Sequence, residues 1–166
     1  MLGNVHTLNL SHNNIKNILK LNNVYYLNIC CTKVIDIQIL NNIHTLDMSF
    51  TEINDILMLS KVYNLNIHFT RVRDVSILKN VHYLDISVSE ITNVSILKNM
   101  RYLVFSINDM IDVSILKNVV LRPKCRIKKE QFFKKAYKYT YNFFDRLDSS
   151  TKYYLGRRTT FFSLIT

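Results

Sequence analysis

A 19-residue unit dominates this sequence and recurs six times in succession without insertions. A repeat of strict length indicates that every copy forms the same supersecondary unit and that neighbouring copies stack on one another. The chain is therefore expected to be a solenoid, in which each unit contacts only the units before and after it. Position 1 of the successive units is held by Val5, Val24, Ile43, Val62, Val81 and Met100.

Apolar residues hold the same places in every unit. Position 4 is always leucine, from Leu8 to Leu103, and position 6 is always apolar. Apolar side chains at alternate positions predict a short strand with one buried face. Position 13 is always Asn or Asp, which predicts a capped helical turn on the opposite side of the coil. Position 9 is Asn, Thr or Ser, and these side chains are expected to bond free backbone groups and to tie one coil to the next.

Turns must be frequent in such a chain, yet it contains only two glycines and one proline in 166 residues. Asparagine closes successive units at position 19, and Lys61 is the exception in that column. Asparagine tolerates a left-handed backbone better than most other residues. We therefore expect these asparagines to make the turns.

The pattern within the unit resembles the leucine-rich repeat, LxxLxLxx(N/T)xI. It stands in this sequence as VHTLNLSHNNI (5–15), IHTLDMSFTEI (43–53) and VHYLDISVSEI (81–91), and the resemblance covers residues 5–118. The recurring DVS-x-LKN motif resembles the repeats of short leucine-rich-repeat proteins of very large DNA viruses and of protists.

The resemblance implies an α/β-type solenoid with a parallel sheet on its concave face. Leucine-rich repeats usually have about 20–29 residues. Here only eight residues follow the eleven-residue strand segment of each unit, too few for a full helix. We therefore expect 3₁₀ turns or extended backbone on the convex side. The solenoid is predicted to span residues 1–118, with a partial repeat at 1–4 and six repeats at 5–118.

Residues 119–166 are predicted to be a separate basic segment, because Arg122 replaces the leucine of position 4. Apolar residues at alternating spacings of four and three predict a capping helix over 128–147, although the Tyr-Lys-Tyr-Thr-Tyr run is also compatible with a strand. Residues 148–166 carry little pattern and are expected to be disordered. At the other end no polar cap precedes the first repeat, so an oligomer formed through this open end is one expectation.

Charge separates the two parts of the chain. Ten basic and nine acidic residues between 5 and 118 leave a balance of +1, whereas twelve basic and three acidic residues between 119 and 166 leave +9. Three interpretations of this tail stay open: a cap for the solenoid, a nucleic-acid-binding segment, or a helix on an anionic membrane. In the second and third interpretations, the residues that contact the anionic partner would be Lys128, Lys129, Lys134, Lys135 and Lys138.

The concave face is the predicted functional surface. Side chains at positions 3, 5 and 7 should point out of this face, and tyrosines among small polar and acidic residues suit protein recognition. The function expected from this pattern and from the family resemblance is a non-catalytic protein–protein interaction module with an unidentified partner. The predicted contact residues are Tyr26, Asp47, Asn66, Tyr83, Asp85 and Tyr102.

Catalytic, metal and cofactor sites are not predicted. His6, His44 and His82 share position 2, but they recur in every second repeat, about 10 Å apart at the usual strand spacing, too far to share a metal ion. Asp47 and Asp85 are separated in the same way, and a shallow sheet offers no pocket to raise the pKa of one of them. An odd cysteine count without a secretory signal predicts free thiols and an intracellular, non-secreted protein; these are Cys30, Cys31 and Cys125.

Overall fold

The computed structural model describes residues 5–18, 21, 24–38, 40, 42–106, 111–113 and 115–124, with side chains as far as Arg122. Seven parallel strands form one sheet in chain order. Between strands 1 and 6, paired residues are one repeat apart, for example Leu46 with Leu65. The strands are β1 Thr7–Asn9, β2 Tyr26–Asn28, β3 Thr45–Asp47, β4 Asn64–Asn66, β5 Tyr83–Asp85, β6 Tyr102–Ser106 and β7 Val120–Lys124.

The position-4 leucines form the centre of a single continuous core. They are at most 1% exposed from the second coil to the sixth, while Leu8 in the first coil is only half-buried. Position 6 lies beside them and is also fully buried in those coils. Period-two burial therefore predicts the inward face correctly. The leucines concerned are Leu27, Leu46, Leu65, Leu84 and Leu103.

Backbone pairing between coils continues beyond the short strands. The N–H of Met48, at position 6, donates to the carbonyl of Asn66 in the next coil at 3.0 Å, and the N–H of Phe50 donates to the carbonyl of His68 at 2.9 Å. The equivalent groups pair in the neighbouring coils. Each coil thus satisfies backbone groups that its short strand would leave free.

Tight 3₁₀ turns make the convex side, as predicted. Two are long enough to be 3₁₀ helices, Leu57–Leu59 and Ser95–Asn99. The same bond from position 17 to position 14 also joins Leu40 to Ile37 and Leu78 to Val75. The short remainder of each unit suffices for one such turn because a 3₁₀ turn closes between a residue and the third residue after it.

Side chains at position 13 hold the start of each convex turn. The carboxylate of Asp55 accepts a hydrogen bond from the N–H of Leu57 at 2.9 Å, and the equivalent bond occurs in three other coils. A side chain at position 13 thus bonds at the start of the turn, as predicted, but it stands one residue before the N-cap of the 3₁₀ helix, which is Ile56 here. The equivalent pairs are Asp36 with Gln38, Asp74 with Ser76 and Asn93 with Ser95.

The threonine hydroxyl groups at position 9 bond within their own coil. The Oγ1 of Thr51 donates to the carbonyl of Met48 at 2.7 Å, and Thr32 and Thr70 make the same contact with Ile29 and Ile67. They bond free backbone groups, as predicted, but the expectation that they tie one coil to the next is wrong. The nearest free carbonyl belongs to position 6 of the same turn.

The left-handed turns lie at position 8, not at the asparagines of position 19. None of Asn42, Asn80, Asn99 and Asn118 has a positive φ. The chain turns sharply directly after the strand segment, whereas position 19 only leads into the next strand. The described non-glycine residues with φ between 54° and 58° are His12, Cys31, Phe50, Phe69 and Val88.

The sheet extends past the predicted boundary at residue 118. In β7, Leu121 pairs with Leu103 and Arg122 pairs with Val104. This last step is one residue shorter than the others, so Leu121 takes the place of the position-4 leucine. Strict counting by the repeat length assigns that place to Arg122 and hides the seventh strand.

The predicted capping helix at 128–147, the disordered end at 148–166 and the five tail lysines lie outside the described residues. Among the residues described, no helix is both long and apolar enough to cross a membrane.

Candidate functional site

The predicted contact residues lie along the strands, but they differ in accessibility. Tyr26 and Tyr83 at position 3 are half-buried, as are Asp47 and Asn66 at position 5. Asp85 is only 3% exposed. A partner that reaches this face therefore meets tyrosine rings more readily than the Asp85 carboxylate.

Position 5 also has a structural role that the repeat pattern does not reveal. The Oδ1 of Asp47 accepts the N–H of Ser49 at 3.0 Å and its hydroxyl at 2.6 Å. In Asn66 and Asp85 the same atom accepts the N–H of position 7, each at 3.0 Å. These side chains shape the turn that ends each strand, whatever else they contact.

Tyr83 and Tyr102 are brought together, because they pair across β5 and β6. Tyr26 lies apart from them, since β3 and β4 separate its strand from β5. The guanidinium groups of Arg101 and Arg122 lie 5.2 Å and 4.7 Å from the centre of the Tyr102 ring. Arginine at this distance from an aromatic face is a cation–π contact. Arg122 thus belongs to the concave face, which the strict repeat register conceals.

The phenol of Tyr83 lies in a half-buried and electrically mixed environment. Burial raises its pKa above the ordinary value of 10.0, and the nearby charge of Asp85 adds to this rise. The positive charge of Arg122 acts in the opposite direction. At neutral pH Tyr83 therefore presents a neutral hydroxyl that can donate a hydrogen bond.

One edge of the sheet carries a continuous stack of five aromatic rings at position 2. Tyr25 and His44 lie 4.2 Å apart between ring centres, with an interplanar angle of 12°. Tyr63 and His82 lie 4.6 Å apart at 10°. The histidines are thus spaced by tyrosines, as predicted, but the spacers join them into one stack. This stack, which we term the His/Tyr ladder, consists of His6, Tyr25, His44, Tyr63 and His82.

The opposite edge, where the strands end, exposes a pair of phenylalanines. Phe50 and Phe69 are 44% and 52% exposed, and their ring centres lie 5.3 Å apart in a stacked arrangement. The ring of His68 meets Phe50 edge-on at 4.9 Å. The left-handed turn at position 8 puts these side chains at this edge. Their shared place at position 8 of successive units was the available sequence signal.

A third group gathers at the same edge in the first two coils. The ligand atoms of His12, Cys30 and Cys31 all lie within 4.8 Å of one another. The two sulfur atoms are 3.4 Å apart, and both cysteines are free thiols. His12 and Cys31 hold position 8 of successive coils, which places them in neighbouring turns, but that shared position does not reveal that their side chains meet.

Comparison with known proteins supports the fold. No model of a protein family and no curated protein matches the chain. Among solved structures, an internalin (InlF) from Listeria monocytogenes is 19% identical, with a TM-score of 0.59 over 81% of this chain and 46% of that one. Internalin C2 (InlC2) from the same organism is 22% identical, with a TM-score of 0.54 over 66% of this chain and 57% of that one.

The chain thus spans about half the length of these two structures. At such identities the likeness concerns the fold alone. Together with the six repeated coils, the parallel sheet and the convex 3₁₀ turns, it shows that this protein has the leucine-rich-repeat fold, as in the internalins.

Proposed function

We propose that this protein is a non-catalytic protein-interaction module that binds its partner across the sheet and the aromatic side chains along its two edges. One observation carries the proposal. Large aromatic side chains stay accessible on both sides of the strands, with Tyr25 and Tyr63 at 43% and 39% exposure opposite Phe50 and Phe69.

Accessible aromatic side chains favour protein recognition for a physical reason. They offer large contact areas at low cost in conformational entropy, and they dominate the energetics of many interfaces. In this solenoid stacking already holds these side chains in place. Binding of a partner therefore costs little additional side-chain entropy. Tyr26, Tyr83 and Tyr102 lie between the two edges and add hydrogen-bonding hydroxyl groups to the same surface.

A capture experiment tests the proposal. The baits are the natural protein, a face variant with Tyr26→Ala and Tyr83→Ala, and an edge variant with Phe50→Ser and Phe69→Ser. Leu57→Ser with Met58→Ser is the matched control, because these exposed apolar residues belong to a convex 3₁₀ helix. Asp85 is left unchanged because its carboxylate holds a turn.

Baits that fold normally are compared in nuclease-treated cell lysate. A partner bound by the natural protein and the convex control, but lost with the face or edge variant, supports the proposal. A partner that survives both of those variants and is lost with Leu57→Ser and Met58→Ser would place recognition on the convex side and contradict it.

A second candidate is binding to nucleic acid or an anionic membrane through the basic segment. The balance of +9 in residues 119–166 favours it. Binding through phosphate contacts weakens steeply as salt rises, because bound counterions are released. If this candidate is correct, binding to nucleic acid or to anionic membranes should weaken with salt and should be lost when five lysines are replaced by glutamine. Capture of a protein partner by the sheet face should persist in this variant. The five residues are Lys128, Lys129, Lys134, Lys135 and Lys138.

A further inference from the structure

We propose that His12, Cys30 and Cys31 form a binding site for a soft, thiophilic metal ion of the Cu(I) class. The site is distinct from the sheet surface proposed to bind protein. Two cysteine sulfurs and one imidazole nitrogen are its ligands. The proposal depends on donor chemistry, on geometry and on the rigidity of the backbone that carries the donors.

The donor set is selective. Thiolates and imidazole suit Cu(I) and zinc, whereas magnesium and calcium prefer oxygen ligands. Structural zinc sites are almost always four-coordinate. Among the described residues only three ligand-bearing side chains of this kind gather here. Three donors, two of them sulfur, match the low coordination numbers that monovalent copper accepts.

The distances are close to those of ligands that share one ion. With metal–sulfur bonds of about 2.3 Å and metal–nitrogen bonds of about 2.0 Å, two such ligands lie up to about 4.6 Å apart. The three donor atoms lie within 4.8 Å of one another, and the two sulfurs are 3.4 Å apart. Small rotations about the side-chain bonds bring them to a common centre.

Backbone hydrogen bonds hold all three residues in place. The N–H of His12 donates to the carbonyl of Cys30 at 2.9 Å, which sets the two coils side by side. The N–H of Cys30 donates to Asn28 Oδ1 at 2.9 Å, and that of Cys31 donates to the carbonyl of Ser49 at 3.0 Å. The ligands are therefore largely arranged before an ion arrives, which favours binding.

The cluster is also particular to this point of the solenoid. The left-handed turn of position 8 recurs in later coils, but there it carries Phe50, Phe69 and Val88. Position 7, which is Cys30 in the second coil, is serine in the other coils except for a single histidine in the fourth, His68. The fold supplies the same turn repeatedly, but among the described residues only the first two coils bring three metal-binding side chains together there.

Binding is an acid–base exchange without redox chemistry. Each cysteine thiol gives its proton to solvent as its sulfur–copper bond forms, and the neutral imidazole binds through a lone pair. Copper stays monovalent throughout. The two thiolates and the ion together carry one negative charge, which the exposed edge of the sheet leaves in contact with water.

The test is a titration of the full chain with Cu(I). The protein is reduced, freed of reductant, kept anaerobic and made to compete with a chromogenic Cu(I) chelator. The variants are Cys30→Ser, Cys31→Ser and His12→Asn, the last because asparagine tolerates the left-handed backbone. Cys125→Ser is the matched control, since it removes a thiol elsewhere in the chain. A parallel titration uses Zn²⁺.

We expect one Cu(I) per chain and a loss of affinity of about tenfold or more in each of the three site variants. Cys125→Ser should bind as the natural protein does, and Zn²⁺ should bind more weakly. X-ray absorption of the copper-loaded protein should show two sulfur neighbours and one nitrogen neighbour.

Four results would overturn the proposal. Unchanged copper affinity in Cys30→Ser or Cys31→Ser would exclude these ligands, and unchanged affinity in His12→Asn would reduce the site to a simple dithiol. Loss of copper binding in Cys125→Ser would show that the site requires Cys125 and is not the one proposed. Zn²⁺ binding as tight as that of Cu(I) would refute the assignment of the ion. Circular dichroism of each variant checks that a lost affinity does not reflect unfolding.

Discussion

At the scale of single residues, the end of each strand requires a left-handed residue, and this protein meets the requirement without glycine. A left-handed backbone costs residues with a Cβ atom about 1–2 kcal/mol. The hydrogen bonds that position 8 makes with the next coil offset part of this cost. Val88 is the least suited of the five, because a β-branched side chain at φ 57° is strongly disfavoured.

Replacing Val88 by asparagine should therefore raise the free energy of unfolding by about 1 kcal/mol. Asparagine accepts the left-handed conformation and keeps the N–H that donates to Ser106 Oγ at 2.9 Å. Urea denaturation measures the change. Ile35→Asn is the control, since Ile35 is exposed and has no positive φ. A gain of equal size in Ile35→Asn would show that relief of strain is not the cause.

At the scale of the element, short side chains with an oxygen acceptor define both turns of the second to fifth coils. Position 5 holds the turn after the strand, and position 13 holds the start of the convex turn. Asp74 shows the electrostatic consequence. It accepts the N–H of Ser76 at 2.8 Å and the hydroxyl of Ser76 at 3.0 Å. Both bonds lower the pKa of the Asp74 carboxyl below its ordinary value of 3.8, and the backbone bond has the larger effect.

Acidification should weaken this turn. Because the pKa of Asp74 is lower in the folded state, its contribution to stability is present above the unfolded pKa and is lost as pH falls through the folded pKa. Below about pH 4, the free energy of unfolding should thus fall less in Asp74→Asn than in the natural protein. Titration of the Asp74 carboxyl by NMR should show a low pKa, which Ser76→Ala raises only in part. An ordinary pKa for Asp74 would contradict this account.

The His/Tyr ladder is an element that only the stacking of coils creates. Adjacent parallel strands bring every position-2 ring next to its counterpart, so flat side chains overlap along the whole edge. Stacked aromatic pairs contribute about 0.5–1.5 kcal/mol beyond the area they bury. The ladder therefore joins neighbouring coils through side chains as well as through backbone hydrogen bonds.

A double-mutant cycle with Tyr25→Ala and His44→Ala should give a coupling energy of about 0.5–1.5 kcal/mol from urea unfolding. Tyr25→Ala with His82→Ala is the control, because two other rings lie between these residues. Its coupling should stay within about 0.5 kcal/mol. Equal coupling in the two cycles would mean that the effect is not one of direct ring contact.

At the scale of the whole molecule, the solenoid is close to one-dimensional, and stability depends on where in the row of coils a residue lies. Leu65 is fully buried between neighbouring coils on both sides, whereas Leu8 belongs to the first described coil and is half-buried. The same substitution at these two equivalent positions should therefore have different costs.

Leu65→Ala should lower the free energy of unfolding by about 2–5 kcal/mol. Leu8→Ala should cost clearly less, because less apolar surface is lost and the first coil can open alone. Denaturant unfolding gives the two values, and amide hydrogen exchange shows which coils open. Equal costs with uniform exchange would refute the one-dimensional description.

Much of this fold was readable from the chain. The leucines at position 4, from Leu8 to Leu103, identify the strand and its inward face. The Asp and Asn residues at position 13, from Asp36 to Asn93, identify the convex turn. The short remainder of each unit allows only a 3₁₀ turn. These features repeat within one coil, so the repeat period reports them directly. The functional assignment of Tyr26, Asp47, Asn66, Tyr83, Asp85 and Tyr102 stays a prediction.

Other features were decided by the tertiary structure. The left-handed residues, the five-ring ladder, the meeting of His12 with Cys30 and Cys31, and the burial of Asp85 arise where one coil lies against the next. The seventh strand depends on a final step one residue shorter than the rest, which lets Leu121 reach the core. A repeat specifies which side chains face inward in each coil, because that is a local periodicity. What those coils bring together at their edges depends on register and side-chain direction, which only the stacked structure determines.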